Sequence, residues 1–206
     1  MFKSLLALAA MSAVAVGANA NVDGGVAANQ NPTSFVALSA ANVTGGALYT
    51  LNALPNAAIP MNTAPPKSTV GTWLAASPDN VNNGGGDAIF TLSGAGSSFV
   101  SFLWGSPDTY NTLTVTSTMG SYVFNSATPS LAGVLFTGNQ DFASYVGFST
   151  NVAGELITSL KFSSTSNAFE ASNFSVTTPV PEPETYALLL AGLGVVGFMA
   201  RRRKSV

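Results

Sequence analysis

About ten short runs of β-branched and aromatic residues, separated by Gly, Asn and Pro, occupy residues 21–178, and no stretch there shows a long helical period with caps. The runs fall at 34–38, 47–51, 88–92, 98–104, 112–118, 121–124, 133–136, 144–148, 159–162 and 173–177. Thr112-Leu113-Thr114-Val115-Thr116 alternates polar and apolar, as a strand with one wet face must. Residues 98–104 become apolar on both faces toward their end, which suits a central strand. Met119-Gly120 reads as a hairpin turn between two runs. The spacing predicts an all-β fold, a jelly-roll-like β-sandwich in one domain. Pro55, Pro60, Pro65 and Pro66 predict a loop or loose excursion over 52–68. Asn82-Asn83-Gly84-Gly85-Gly86 reads as an exposed loop, and 175–179 as a short linker.

Charge and composition exclude several chemistries for this body. Seven acids against Lys67 and Lys161 give residues 21–178 a net charge of −5, which the whole-chain value of −2 hides. A surface of that sign cannot neutralise phosphates, so nucleic acid is excluded as a partner. The chain has neither cysteine nor histidine. Thiolate and imidazole zinc sites are therefore closed to it, as are cysteine nucleophiles and serine–histidine pairs. No disulfide can brace the fold, which must be held by packing alone.

The remaining candidates are few. The stretch from Asp79 to Asp87 is rich in Asn and Gly and invites a Ca²⁺ reading through Asp79 and Asp87. On an EF-hand template starting at Asp79, Val81 takes the third position and Phe90 the twelfth, and neither supplies a side-chain ligand. A solvated Asn/Gly loop is the simpler expectation, with no cofactor. Among the aromatics, Trp104 and Tyr110 are the pair singled out for glycan contact, because Gly105-Ser106-Pro107 bends the chain between them. Asp87, Asp108, Glu155 and Glu170 are numerous enough for a paired-carboxylate glycosidase or lyase, although spacing alone brings no two together.

The two ends read as addresses. Lys3, an apolar stretch over 5–16 and the small-x-small triplet Ala18-Asn19-Ala20 make up a secretory signal peptide, cleaved between Ala20 and Asn21. This implies the Sec translocon and signal peptidase as partners. At the other end, Val180-Pro181-Glu182-Pro183 precedes an apolar run over 185–200, and Arg201-Arg202-Arg203-Lys204 follows it. An apolar helix satisfies its own backbone inside a bilayer, and the basic cluster behind it holds that end on the cytoplasmic side. The run falls short of the roughly 20 residues of a comfortable span, so flanking residues and Arg snorkelling complete the transmembrane helix. Gly192, Gly194 and Gly197 match the dinucleotide-binding fingerprint letter for letter, but no strand–turn–helix context or later acid accompanies them. They suit close helix packing in a membrane instead.

Pro-Glu-Pro, an apolar helix and a terminal Arg cluster in this order resemble the PEP-CTERM sorting signal of Gram-negative bacteria. The resemblance implies processing near Pro181-Glu182-Pro183 by exosortase, an integral-membrane transpeptidase-like enzyme. It also implies transient residence in the inner membrane, then delivery to the cell surface or extracellular matrix, where such proteins accompany exopolysaccharide. A second block, Phe102-Leu103-Trp104-Gly105-Ser106-Pro107-Asp108-Thr109-Tyr110-Asn111-Thr112-Leu113, is similar to a strand-and-turn block of exosortase-dependent surface proteins. Thr137-Gly138, Tyr145-Val146-Gly147-Phe148 and Ser166-Asn167-Ala168-Phe169-Glu170 resemble later parts of the same pattern. There the last block continues Phe-Asp-Asn, where this chain has Ala171-Ser172-Asn173. The likeness implies a β-rich surface domain and carries no catalytic residues. The expected organisation is a signal peptide over 1–20, a sandwich over 21–178 and a sorting tail over 179–206. The expected function is that of a noncatalytic surface or biofilm-matrix protein, adhesive or glycan-binding. A secreted polysaccharide-active enzyme is the alternative.

Overall fold

The short runs become two antiparallel sheets. The computed structural model describes residues 22–26, 35–51, 63–78 and 85–177; the signal peptide, the sorting tail and Asp79 lie outside them. Eleven strands follow in order: β1 (Val22–Val26), β2 (Val43–Gly45), β3 (Ala47–Thr50), β4 (Thr72–Ala76), β5 (Ala88–Thr91), β6 (Phe99–Gly105), β7 (Asn111–Ser117), β8 (Ser121–Asn125), β9 (Ala143–Thr150), β10 (Ile157–Ser164) and β11 (Phe169–Thr177). One sheet, here sheet A, runs β1-β9-β6-β11-β4-β3; sheet B runs β2-β5-β10-β7-β8. From β4 onward the pairing is nested: β7 with β8, β6 with β9, β5 with β10 and β4 with β11. A long four-rung hairpin has thus been folded across two facing layers.

The core between the layers is aromatic. Val100, Phe102 and Trp104 of β6 point inward with Phe148, Phe169 and Phe174, and meet Phe90, Leu113, Val115 and Phe162 of sheet B. Phe102 lies 5.2 Å edge-on from Phe162, 5.4 Å from Phe174 and 5.9 Å from Phe148, the offset and edge geometries that ring quadrupoles favour. Trp104 stacks on Phe169 at 4.3 Å. With no disulfide available, this packing is what replaces covalent bracing.

Local chemistry sets the strand boundaries. Where the chain crosses from β2 in sheet B to β3 in sheet A, Gly46 adopts φ +57°, and a Cβ there would lie 2.5 Å from that of Ala88. Only glycine fits that approach. In β11 the register shifts between Ser172 and Ser175, and Asn173 occupies the left-handed region at φ +52°. The bulge lets Phe174 reach the core after Ala171 has already done so.

Several expectations are corrected. Residues 35–38, the described part of the expected run 34–38, and 133–136 form no strand; Val36 donates one backbone bond to the Phe174 carbonyl, and 133–136 follows the 3₁₀ turn Pro129–Leu131. The segment 63–71, which contains the described part of the proline-rich excursion (63–68), is not loose. It lies over the outer face of sheet A, where Trp73 Nε1 donates to the Thr63 carbonyl at 3.0 Å and Val70 N donates to Asn173 Oδ1 at 2.7 Å. Residues 175–177 belong to β11 rather than to a linker.

Candidate functional site

The register decides which polar groups meet. Row by row across sheet A, Glu170 of β11 sits beside Ala75 of β4 and Gly105 of β6 on the outer face. Its neighbours are small, and Pro66 packs against Gly105, so the carboxyl is only 3 % exposed. Ser106 Oγ donates to Glu170 Oε2 at 3.0 Å. Burial pushes the carboxyl well above the usual range, and the charge of Asp108 adds to the rise against the opposing Ser106 bond. Tyr110, on the same loop, donates its hydroxyl to the Asn167 carbonyl at 2.8 Å. Burial and the neighbouring Asp108 raise its phenol. Ser106, Asp108, Tyr110 and Glu170 thus form one cluster at the end of the sandwich carrying the β6–β7 and β10–β11 loops.

Trp104 does not belong to it. Its side chain is 0 % exposed within the core, so it cannot stack on an external sugar. The alternation of β6 explains the correction: Gly105 shares the outer row with Glu170, while Trp104, one residue earlier, faces the opposite sheet. Among the described residues, no Trp, Tyr or Phe is among the exposed large hydrophobic side chains.

The other acids are dispersed. Asp87 pairs with Lys161 Nζ at 2.7 Å. Burial alone would raise the Asp87 carboxyl, yet hydrogen bonds from Lys161 and Ser163, with the lysine's charge, hold it below the usual range. No group of three or more His, Cys, Asp or Glu able to hold a metal occurs among the described residues. Glu155 lies at the opposite end of β10, 1 % exposed, where Oε1 accepts from Ser117 Oγ at 2.5 Å and Tyr122 Oη at 3.0 Å. Ser117 in turn accepts from the Met119 and Gly120 amides, so Glu155 braces the β7–β8 turn.

A half-exposed polar row runs along the outer face of sheet B. Thr112, Thr114 and Thr116 of β7 alternate with the buried Leu113 and Val115. Across the register, Ser163, Lys161 and Ser159 of β10 flank them on one side, and Asn125, Val123 and Ser121 of β8 on the other. Sequence reasoning recognised the alternation of β7; it did not reveal that neighbouring strands extend the same hydroxyl surface.

Residues 179–204 match the PEP-CTERM protein-sorting motif. The chain carries a PEP-CTERM sorting domain. No curated protein and no solved structure matches the chain. The PEP-CTERM tail implies an exported protein processed by exosortase. Val180, Pro181, Glu182 and Pro183 fall within this motif, as do Arg201, Arg202, Arg203 and Lys204. Like the proposed cleavage residues Ala18, Ala20 and Asn21, they lie outside the described residues.

Proposed function

We propose that this is a noncatalytic surface or extracellular-matrix protein, a jelly-roll sandwich released from the inner membrane by exosortase and held among exopolysaccharide chains. The nested pairing of β4 to β11 supports the jelly-roll reading. The observation that carries the function is the outer face of sheet B. It is rich in hydroxyls, with an ion pair between Lys161 and Asp87 and the exposed Val123 among them. Such a face offers many donors and acceptors to polysaccharide hydroxyls without a cleft, and suits weak, repeated, multivalent contact.

The enzyme alternative rests on Glu170, whose raised carboxyl next to Asp108 resembles the split pair of a glycoside hydrolase. Burial beneath the 63–71 segment argues against it, because a general acid must reach the glycosidic oxygen. Two experiments test the proposal. Alanine at Pro181, Glu182 and Pro183 is expected to leave the protein full-length in the membrane fraction; unchanged mass and location would refute the processing step. Replacing Thr112, Thr114 and Thr116 together with lysine is expected to change co-sedimentation with the host's exopolysaccharide several-fold, while Glu170→Gln leaves it unchanged. Glycan cleavage by the native protein, lost in Glu170→Gln, would establish the enzyme instead.

A further inference from the structure

Sheet B ends at β8, and the hairpin that forms this edge decides which of its backbone groups are used. Ser117 N donates to the Gly120 carbonyl at 2.7 Å, and the register with β7 continues unbroken to Asn125. Backbone groups alternate in direction along an antiparallel strand. Gly120, Tyr122 and Phe124 therefore bond β7, while Ser121, Val123 and Asn125 direct theirs away from it. Asn125 shows the phase directly: its N–H donates to Thr128 Oγ1 at 2.9 Å and its carbonyl accepts from Thr128 N at 3.0 Å. Among the described residues, no group bonds the N–H or C=O of Ser121 or Val123 on the open side.

The strand carries none of the devices that blunt an edge. Charge, proline and bulges commonly do so, and Ser121-Tyr122-Val123-Phe124-Asn125 has none of the three. Exposed apolar side chains gather on the same flank: Val123 is 60 % exposed and Met119, in the preceding turn, 50 %. β1 lies behind β8, where a Cβ at Gly24 would come 2.8 Å from the Phe124 ring. Its exposed Val26 would meet a Cβ at Gly133 at 2.9 Å, two residues before the exposed Leu135. The edge of β1 itself is backed by the turn around Ser130 and carries Asp23. β8 is also held rigid. Tyr122 Oη and Ser117 Oγ both donate to the buried Glu155, and the Thr116 and Ser121 hydroxyls meet at 3.1 Å. A preorganised strand loses little freedom on pairing.

We propose that β8 is a self-association edge, taken up by β8 of a second copy in antiparallel register about a two-fold axis at Tyr122. The inference is independent of what the outer face of sheet B binds. In this register the N–H and C=O of Ser121 meet the C=O and N–H of Val123 in the second copy, and symmetry supplies the reverse pair. Every open backbone group then finds a partner, no charge opposes another across the seam, and each exposed Val123 lies beside a Ser121. The two B sheets become one, and the Thr rows of both β7 strands share a single outer face.

The test uses the exported chain in mild detergent, with no native cysteine to interfere. Ser121→Cys and Val123→Cys would stand about 5.5 Å apart across the seam, within disulfide reach. Like residues sit on the diagonal at about 7–8 Å. Mixed in equal amounts and oxidised, the two variants are expected to give the 121–123 heterodimer several-fold above either homodimer, against the roughly twofold excess of random collision. Thr114→Cys, one strand in from the edge on the same face, is expected to cross-link several-fold less. Sedimentation velocity of the parent is expected to show a dimer in exchange with monomer. Val123→Lys, with its circular dichroism unchanged, is expected to be monomeric, because a lysine blunts the edge. A parent that stays monomeric up to millimolar concentration would overturn the proposal. So would a dimer that survives Val123→Lys, as association through the tail alone would, or equal cross-linking from Thr114→Cys.

Discussion

Phe102→Ala is expected to lower the unfolding free energy of the exported protein by about 3–5 kcal/mol, the range for deleting a buried aromatic side chain. Phe102 is fully buried, and its ring meets those of Phe148, Phe162, Phe169 and Phe174 together with Trp104. The cavity would open between the sheets, where neither layer can close over it without breaking its ladder. Urea denaturation reads the loss directly. Thr114→Ala on the outer face of sheet B is the control, expected within about 0.5 kcal/mol of the parent. Equal effects at the two positions would show that the aromatic core does not carry the fold.

The second large effect is one of pH. The Glu170 carboxyl is held well above the usual range in the folded state by burial and by Asp108. The folded protein therefore binds a proton that the unfolded chain has released. Its contribution to stability is fully present below the ordinary carboxylate range of about 4.3 and is lost as pH rises through the raised folded value. Glu170 thus makes the sandwich more stable on mild acidification. Glu170→Gln keeps an oxygen for the Ser106 hydroxyl and removes the charge. It is expected to raise stability at neutral pH, because the unfolded chain no longer gains by releasing a proton there. It should also flatten the stability profile between mildly acidic and neutral pH. Parallel profiles for the two proteins, from thermal unfolding across that range, would contradict the assignment. This behaviour is structural, and it makes Glu170 a poor candidate for a group in contact with substrate.

The jacket over sheet A explains why Glu170 tolerates such a position. Thr63 to Pro66 approach the outer face from a proline-rich stretch with no strand pattern of its own. Trp73 and Tyr49 stack beneath it at 5.2 Å, forming a second apolar cluster outside the main core. Among the described residues, this segment covers sheet A around Trp73, Gly105 and Asn173, while on β1 and β9 Asp23 is exposed and Ser149 half-buried.

Eight of the strands could be placed from short-range pattern, because alternation and β-branched content act within one segment. β7 shows this best, its Thr residues outward and its Leu and Val inward as read from the chain. β1, β2 and β4 went unread. β4, Thr72–Ala76, is buried on both faces from Trp73 to Ala76, and such a strand has no alternation to reveal it. The sorting tail was legible for the opposite reason: its Pro-Glu-Pro, apolar run and basic cluster are recognised by order and composition along the chain. The sequence by itself determined the all-β class, the absence of thiol and imidazole chemistry, and the address. Only the tertiary structure decided that Trp104 is core, that Glu170 lies hidden beside Ser106 and Asp108, and that β1 begins and β11 ends at the same end of one sheet. Those outcomes depend on register between strands far apart in the chain, as with Trp73 of β4 and Ser172 of β11, and no local pattern encodes which distant row a residue will join.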